Sequence, residues 1–115
     1  MLKRDIIFYS LAEIGLSMYL KVHKNQSGTI VAACDEDLLG KVLEDKAHYM
    51  DLEKYRGFYV GKIADGKELE KALSGFSSAN LVGKGPVDVA LGMGLVGKKD
   101  IMYIKTIPYI QIYRI

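Results

Sequence analysis

The stretch NLVGKGPVDVALGMG, residues 80–94, holds four glycines and the first of only two prolines. Glycine costs a helix interior about 1 kcal/mol relative to alanine, so such a cluster must answer a backbone or packing demand. Pro86 suits the first turn of a helix, where its missing N–H is no loss. Gly83 and Gly85 read as a tight turn between two helices, because a capped helical segment precedes them and no clean strand leads in. Gly92 and Gly94 read as close packing or a helix end. The segment from Asn80 to about Leu95 is therefore expected to be helical, hinged on Gly-Lys-Gly.

The same helix start is a candidate for chemistry. Its exposed backbone N–H groups suit a phosphate, with Lys84 adding charge, so Gly83, Lys84 and Gly85 form one candidate site. A dinucleotide fingerprint fits poorly, since Asp88 stands where the third glycine belongs. A Walker loop fails because Gly85, not Ser or Thr, follows Lys84. A helix-hairpin-helix is matched only in outline, with lysine between the glycines and Ala90 one residue late.

On either side of this stretch the pattern turns to strands. MYLKVHK sets Tyr19, Lys21 and His23 against Leu20 and Val22, the alternation of a half-buried strand. NQSG at 25–28 is turn chemistry, and TIVAAC follows as a β-branched strand, making a hairpin. Asp35 then reads as the cap of a short helix reaching about Asp45, with acids in its first turn and Gly40 weakening it. AHYMDL and GFYVGKIA are strand candidates joined by the charged loop at Glu53 to Arg56. Asp65 caps GKELEKALSGF, where Leu69, Ala72, Leu73 and Phe76 share a face. DIMYIK and YIQIYRI close the chain as strands, with Pro108 between them or at a sheet edge. The expected fold is α+β: a small, largely antiparallel sheet packed against two or three helices.

At 115 residues the chain is expected to form a single domain. MYLKVH looks like its beginning. Residues 1–17 read as an N-terminal extension, either a loosely amphipathic helix or an over-called start, and 18–115 as the α+β domain. The extension's basic tip and apolar middle are interrupted by Asp5 and Glu13, which argues against a signal peptide. No apolar run approaches a membrane span, so no membrane partner is expected. Cys34 is the sole cysteine, which excludes an internal disulfide and fits the cytoplasm. One Cys and two His, His23 and His48, make no structural zinc pattern, and no cofactor is implied.

Charge is unevenly spread. Residues 1–57 carry 8 Lys/Arg against 9 Asp/Glu, whereas residues 58–115 carry 8 against 5. On the last strand Tyr109, Gln111 and Tyr113 share one face, and Ile110, Ile112 and Arg114 the other. With Tyr103 and Lys105 nearby, this face pairs aromatics with cations, a combination that stacks bases and meets phosphates. A half-buried face with tyrosine hydroxyls at its rim is the plainer account.

MYLKVHK, CDEDLLGK, FYVG, ANLVGKGPVDVALGMGLV and TIPYIQIYRI stand in the order found in the archaeal domain-of-unknown-function family 424, which the chain resembles over about residues 18–115. The resemblance picks out Cys34, Asp35, Leu38 to Lys41, Phe58, Tyr59, Gly61, Ala79 to Gly83, Ala90, Gly94, Pro108 and Gln111. It implies an intracellular archaeal protein and brings no established activity. Family members often carry Pro-His-Ala-Gln near the end. Here Pro108-Tyr109-Ile110-Gln111 lacks the histidine, so no acid–base role transfers.

The leading functional expectation is a non-catalytic module for RNA, associated with the ribosome or translation, using Gly83, Lys84, Gly85, Lys105, Tyr109, Gln111 and Tyr113. A small enzyme or ligand-binding domain built on Cys34 and Asp35 is the second. A protein-interaction module pairing through a terminal strand edge is the third.

Overall fold

A computed structural model describes residues 17–114. The extension expected at residues 1–17 therefore lies outside the described residues, except for Ser17. Strand β1 (Met18–Asn25) turns at Gln26 and Ser27 into β2 (Gly28–Asp35), in full antiparallel register from Met18↔Asp35 to Asn25↔Gly28. A single 3-10 turn (Glu36–Leu38) leads to a small hairpin of β3 (Val42–Glu44) and β4 (Tyr49–Asp51). The chain continues through a short helix α1 (Arg56–Tyr59), β5 (Lys62–Ala64), α2 (Gly66–Ala72), β6 (Ser78–Val82) and α3 (Lys84–Gly92). It closes with β7 (Met102–Ile104) and β8 (Ile107–Tyr113).

Among the described residues six strands form one sheet in the order β5-β1-β2-β6-β8-β7, with the β3–β4 hairpin as a second, two-stranded sheet. Every neighbouring pair in the main sheet is antiparallel except β2 and β6. The α+β class expected from the sequence is the one observed.

Two layers sandwich the sheet. On one face Met18, Leu20, Val31, Ala33, Ala79, Leu81 and Ile110 pack against Leu69, Leu73 and Phe76 and against Val87, Val89 and Ala90 of α3. Full burial of Leu69, Leu73 and Leu81 stabilises this layer by roughly 2 kcal/mol each. Asp65 starts α2 as read, its Oδ1 accepting from Glu68 N at 3.0 Å. On the opposite face Ala32, Cys34 and Val82 are covered by Leu38, Leu52 and Tyr59.

Four local readings are corrected. The helix expected from Asp35 to Asp45 stops at Leu38, because Gly40 takes φ +90 and the chain turns into β3. GFYV forms the helical turn α1, not a strand, and only Lys62–Ala64 of that run pairs. Asn80 to Val82 is strand, so β6 feeds directly into the glycine turn, and that turn joins a strand to a helix. Pro108 lies inside β8, a non-edge strand. Its carbonyl accepts from Gly83 N at 2.8 Å. A residue's N–H and C=O point to the same side of an antiparallel strand, so the missing proline donor would also face Gly83. There β6 has already ended, so the missing N–H leaves no ladder bond unmade.

The β6–α3 turn is held by Asp35. Its Oδ2 accepts from Gly85 N at 3.3 Å, tying the end of β2 to the first turn of α3. Gly83 takes φ +101, and a Cβ there would overlap the Asp35 carboxylate. Gly94 also has positive φ, +74, but open space around it. Gly83→Ala is therefore expected to lower the unfolding free energy by about 2 kcal/mol or more, and Gly94→Ala by about 1 kcal/mol. Denaturant unfolding of both variants checks the ordering. Equal losses would mean that the Asp35 contact adds nothing to the backbone strain.

Candidate functional site

The residues singled out in the sequence fall in two places. Gly83, Lys84 and Gly85 lie at the start of α3. The place a phosphate would take there is filled by the Asp35 carboxylate, and Lys84 Nζ is paired with Asp88 Oδ2 at 2.9 Å. An internal anion thus complements the helix dipole, and the helix start expected to be open is occupied. The strand that the fingerprint reading lacked is present, yet the same carboxylate stands in the way.

Tyr109, Gln111 and Tyr113 share the other face of the sheet, as their alternation implied. Tyr109 lies beneath the β3–β4 hairpin, with His48 edge-on at 6.1 Å. Burial raises its hydroxyl pKa, and Asp45 adds to the shift. Asp45 is the hairpin's organiser: it accepts from Ala47 N at 2.9 Å, His48 N at 2.8 Å and His48 Nδ1 at 3.2 Å. Lys105 N donates to its Oδ2 at 3.3 Å from the β7–β8 turn, where Lys105 holds φ 56. The role of Lys105 in the fold is thus a backbone one, and its side chain is exposed. Tyr113 stands exposed at the far end, opposite Ser78.

Helix α1 is pinned over β1. Lys21 Nζ donates to Gly57 O, and His23 Nε2 to Phe58 O, each at 2.9 Å. The His23 ring stacks on Phe58 with centroids 4.8 Å apart, and Phe58 meets Tyr59 edge-on at 5.1 Å. This cover stops before it reaches the middle of β6 and β8, where Asn80 and Gln111 are direct cross-strand partners. Between the cover and these two amides lies a cleft of about 330 Å³. Tyr55, Phe58 and Tyr59 line it with Met50 and Leu52, and Asp51 is its acidic wall.

Asn80 and the α1 aromatics were not among the expected site residues. With Asn80–Val82 taken as helix, Asn80 had no sheet face to lie on. Its position between buried Ala79 and Leu81 is the signal that a strand reading would have used. The aromatics reach the cleft only through long-range packing.

Cys34 is fully buried, and burial pushes its thiol up to about 12, with the charges of Asp35 and Asp37 adding to the shift. A thiol so held is protonated and unreactive at neutral pH. Burial likewise pushes the Asp35 carboxyl up to about 6, against backbone hydrogen bonds from Gly85 and Lys84 that pull it down; Asp37 and Asp88 push it further up. Among the described residues no group of three or more His, Cys, Asp or Glu is placed to hold a metal ion. No helix of the described residues is long and apolar enough to cross a membrane.

This is an α+β domain whose sheet carries a helical layer on one face and, among the described residues, a partial cover on the other. The chain belongs to the family described as "Protein of unknown function (DUF424)", which it matches over residues 22–115. It is similar to an uncharacterised conserved protein from Methanopyrus kandleri, whose crystal structure superposes with a TM-score of 0.70 at 25% identity, covering 84% of this chain and 90% of that one. No curated protein matches.

Two outcomes are expected from the Cys34–Asp35 pair. The native thiol should react with iodoacetamide far more slowly than a free thiol at neutral pH, and at full rate once denatured. Native reactivity equal to that of a free thiol would overturn the inert assignment. Asp35 binds its proton more tightly folded than unfolded, so its contribution to stability is full below 3.8 and is lost as pH rises through about 6. Asp35→Asn keeps an acceptor for Gly85 and cannot ionise. Across that window the native protein should lose stability relative to Asp35→Asn, measured by denaturant unfolding. Parallel pH profiles would contradict the raised carboxyl.

Proposed function

We propose that this protein is a non-catalytic RNA-binding module of the cytoplasm, associated with RNA or the ribosome, and that its contact surface is the half-covered face of the sheet. The observation that carries this reading is the cross-strand pair of half-buried Asn80 and exposed Gln111 beside an aromatic wall. Sheet surfaces that bind single strands combine stacking rings with polar groups that meet base edges. Tyr55 and Tyr113 are exposed large aromatics on or near this surface. Lys54 Nζ lies 5.6 Å from the centre of the Tyr55 ring, where it can meet a phosphate of a strand stacked there. The buried thiol of Cys34 removes the main support for an enzyme built on that residue.

A second reading rests on the edge of β8. Strand β7 pairs with Ile107 to Tyr109, so among the described residues Ile110 to Tyr113 have β6 on one side and no strand on the other. An added strand from a protein partner fits that edge.

RNA and ribosome binding across a salt series tests the proposal. The native protein should bind in a salt-dependent way. Tyr55→Ala should weaken binding roughly tenfold through lost stacking. Lys84→Gln should leave affinity and salt slope unchanged, because Asp35 fills the α3 start and Asp88 engages the lysine. Failure of the native protein to bind RNA or ribosomes at low salt would overturn the proposal. A loss specific to Lys84→Gln would move the contact surface to α3.

A further inference from the structure

We infer that the open half of β8 pairs with the same strand of a second copy of this chain, two-fold about Ile112, joining the two main sheets into one. The inference names an occupant for the strand edge described above and does not depend on RNA binding.

The direction of the backbone bonds shows what that edge offers. Pro108 O accepts from Gly83 N and Arg114 N donates to Ser77 O, each at 2.8 Å. Pro108, Ile110, Ile112 and Arg114 therefore turn their peptide groups toward β6, and the residues between them turn theirs the other way. Tyr109 meets Met102 of β7 on that side. Among the described residues Gln111 and Tyr113 meet no backbone partner there.

The sheet has a second open edge at the same end. Among the described residues β5 pairs with Met18 to Leu20, which leaves Val22 to Asn25 of β1 uncovered. Exposed Lys24 stands on that edge, and lysines blunt an edge against pairing. From Ile110 to Tyr113 β8 carries neither charge nor proline, and Pro108 lies in the half that β7 covers. The β8 edge is thus the unprotected one.

Met102 fixes the register. It takes the position opposite Tyr109, so the positions opposite Ile110 to Arg114 are open. Two β8 strands centred on Ile112 fill those positions for each other. Gln111 then exchanges both backbone bonds with the partner's Tyr113, and Tyr113 with the partner's Gln111. Centring on Gln111 would put the partner's Tyr113 where Met102 already sits. In the allowed register the partner's Tyr113 follows Met102 on the same face of the sheet, since cross-strand partners share a face. These side chains are 70% and 47% exposed in the single chain, and the pairing sets them side by side. The axis stands perpendicular to the sheet, so the contact is closed to a third copy and both half-covered faces look the same way. A pairing this short is small against the roughly 1,200 Å² at which stable interfaces begin, so the dimer is weak and concentration-dependent.

Sedimentation equilibrium of the full chain from about 1 μM to about 1 mM tests the pairing. A monomer–dimer equilibrium is expected, with no larger species. Tyr113→Pro removes an outward N–H that no bond to β6 uses, so it should weaken the dimer roughly tenfold or more while the unfolding transition stays. Ile112→Cys should form a disulfide between copies under mild oxidation, because partners at a non-hydrogen-bonded site hold their Cα atoms about 4.5 Å apart, within reach of an S–S bond. Gln111→Cys is offset along the strands from its own copy and should not crosslink. The native chain, with Cys34 buried, is the uncrosslinked control. A chain that stays monomeric throughout, a dimer that Tyr113→Pro leaves intact, or crosslinking at Gln111→Cys in place of Ile112→Cys would overturn the pairing and leave the RNA reading standing. Should Tyr113→Pro fail to fold, the crosslink decides. A dimer that binds no RNA would keep the pairing and remove the RNA reading.

Discussion

The carboxylate of Asp35 on the first turn of α3 is the contact around which this domain is arranged. It joins the end of β2 to the start of the helix that packs on the opposite face. Between them run the only parallel neighbours of the main sheet among the described residues, β2 and β6. A parallel pair needs a crossover, and here it passes through the hairpin, α1, β5 and α2 before returning. The Asp35 contact closes that long excursion at the place where β6 becomes α3. It also explains the glycine spacing: at Gly83 and Gly85 a side chain would press on the same carboxylate.

That arrangement carries a cost in charge. The carboxyl is half buried beside Asp37 and within reach of Asp88, so its ionisation is opposed from three directions. The helix N–H groups compensate only in part. A helix start that elsewhere serves an external anion has here been turned inward, and the surface available to a partner shifts to the other side of the sheet.

Much of the fold was legible because its signals are local. Alternation in MYLKVHK, the turn at 25–28, the Asp65 cap and the Tyr109–Gln111–Tyr113 face need only neighbouring residues. Asp35 misled because the residue type that caps helices sat before two acids, while its true partner lies 50 residues away. GFYV misled because aromatic and β-branched residues favour strands on average; here packing of Phe58 on His23 and of Tyr59 under the cover settled a helical turn instead. Strand β6 was hidden by its brevity and by the glycines that follow it. The cleft could not be read from spacing at all, since it brings α1, β6 and β8 together. Of its residues, Gln111 alone stood among the expected site residues, while Phe58, Tyr59 and Asn80 were marked by the family resemblance without a role.

The segment that covers the sheet has its own geometric logic. It leaves from Asp35 and returns at β5, and both Asp35 and Ala64 are paired with Met18, on opposite sides of β1. Its departure and return are thus only two strand spacings apart, roughly 10 Å. An excursion whose ends meet can change in length and sequence while the strands that anchor it keep their register. Evolution can therefore rework the lid over this sheet, and with it whatever the lid selects, as a module separate from the helical layer, which holds the larger of the two buried clusters.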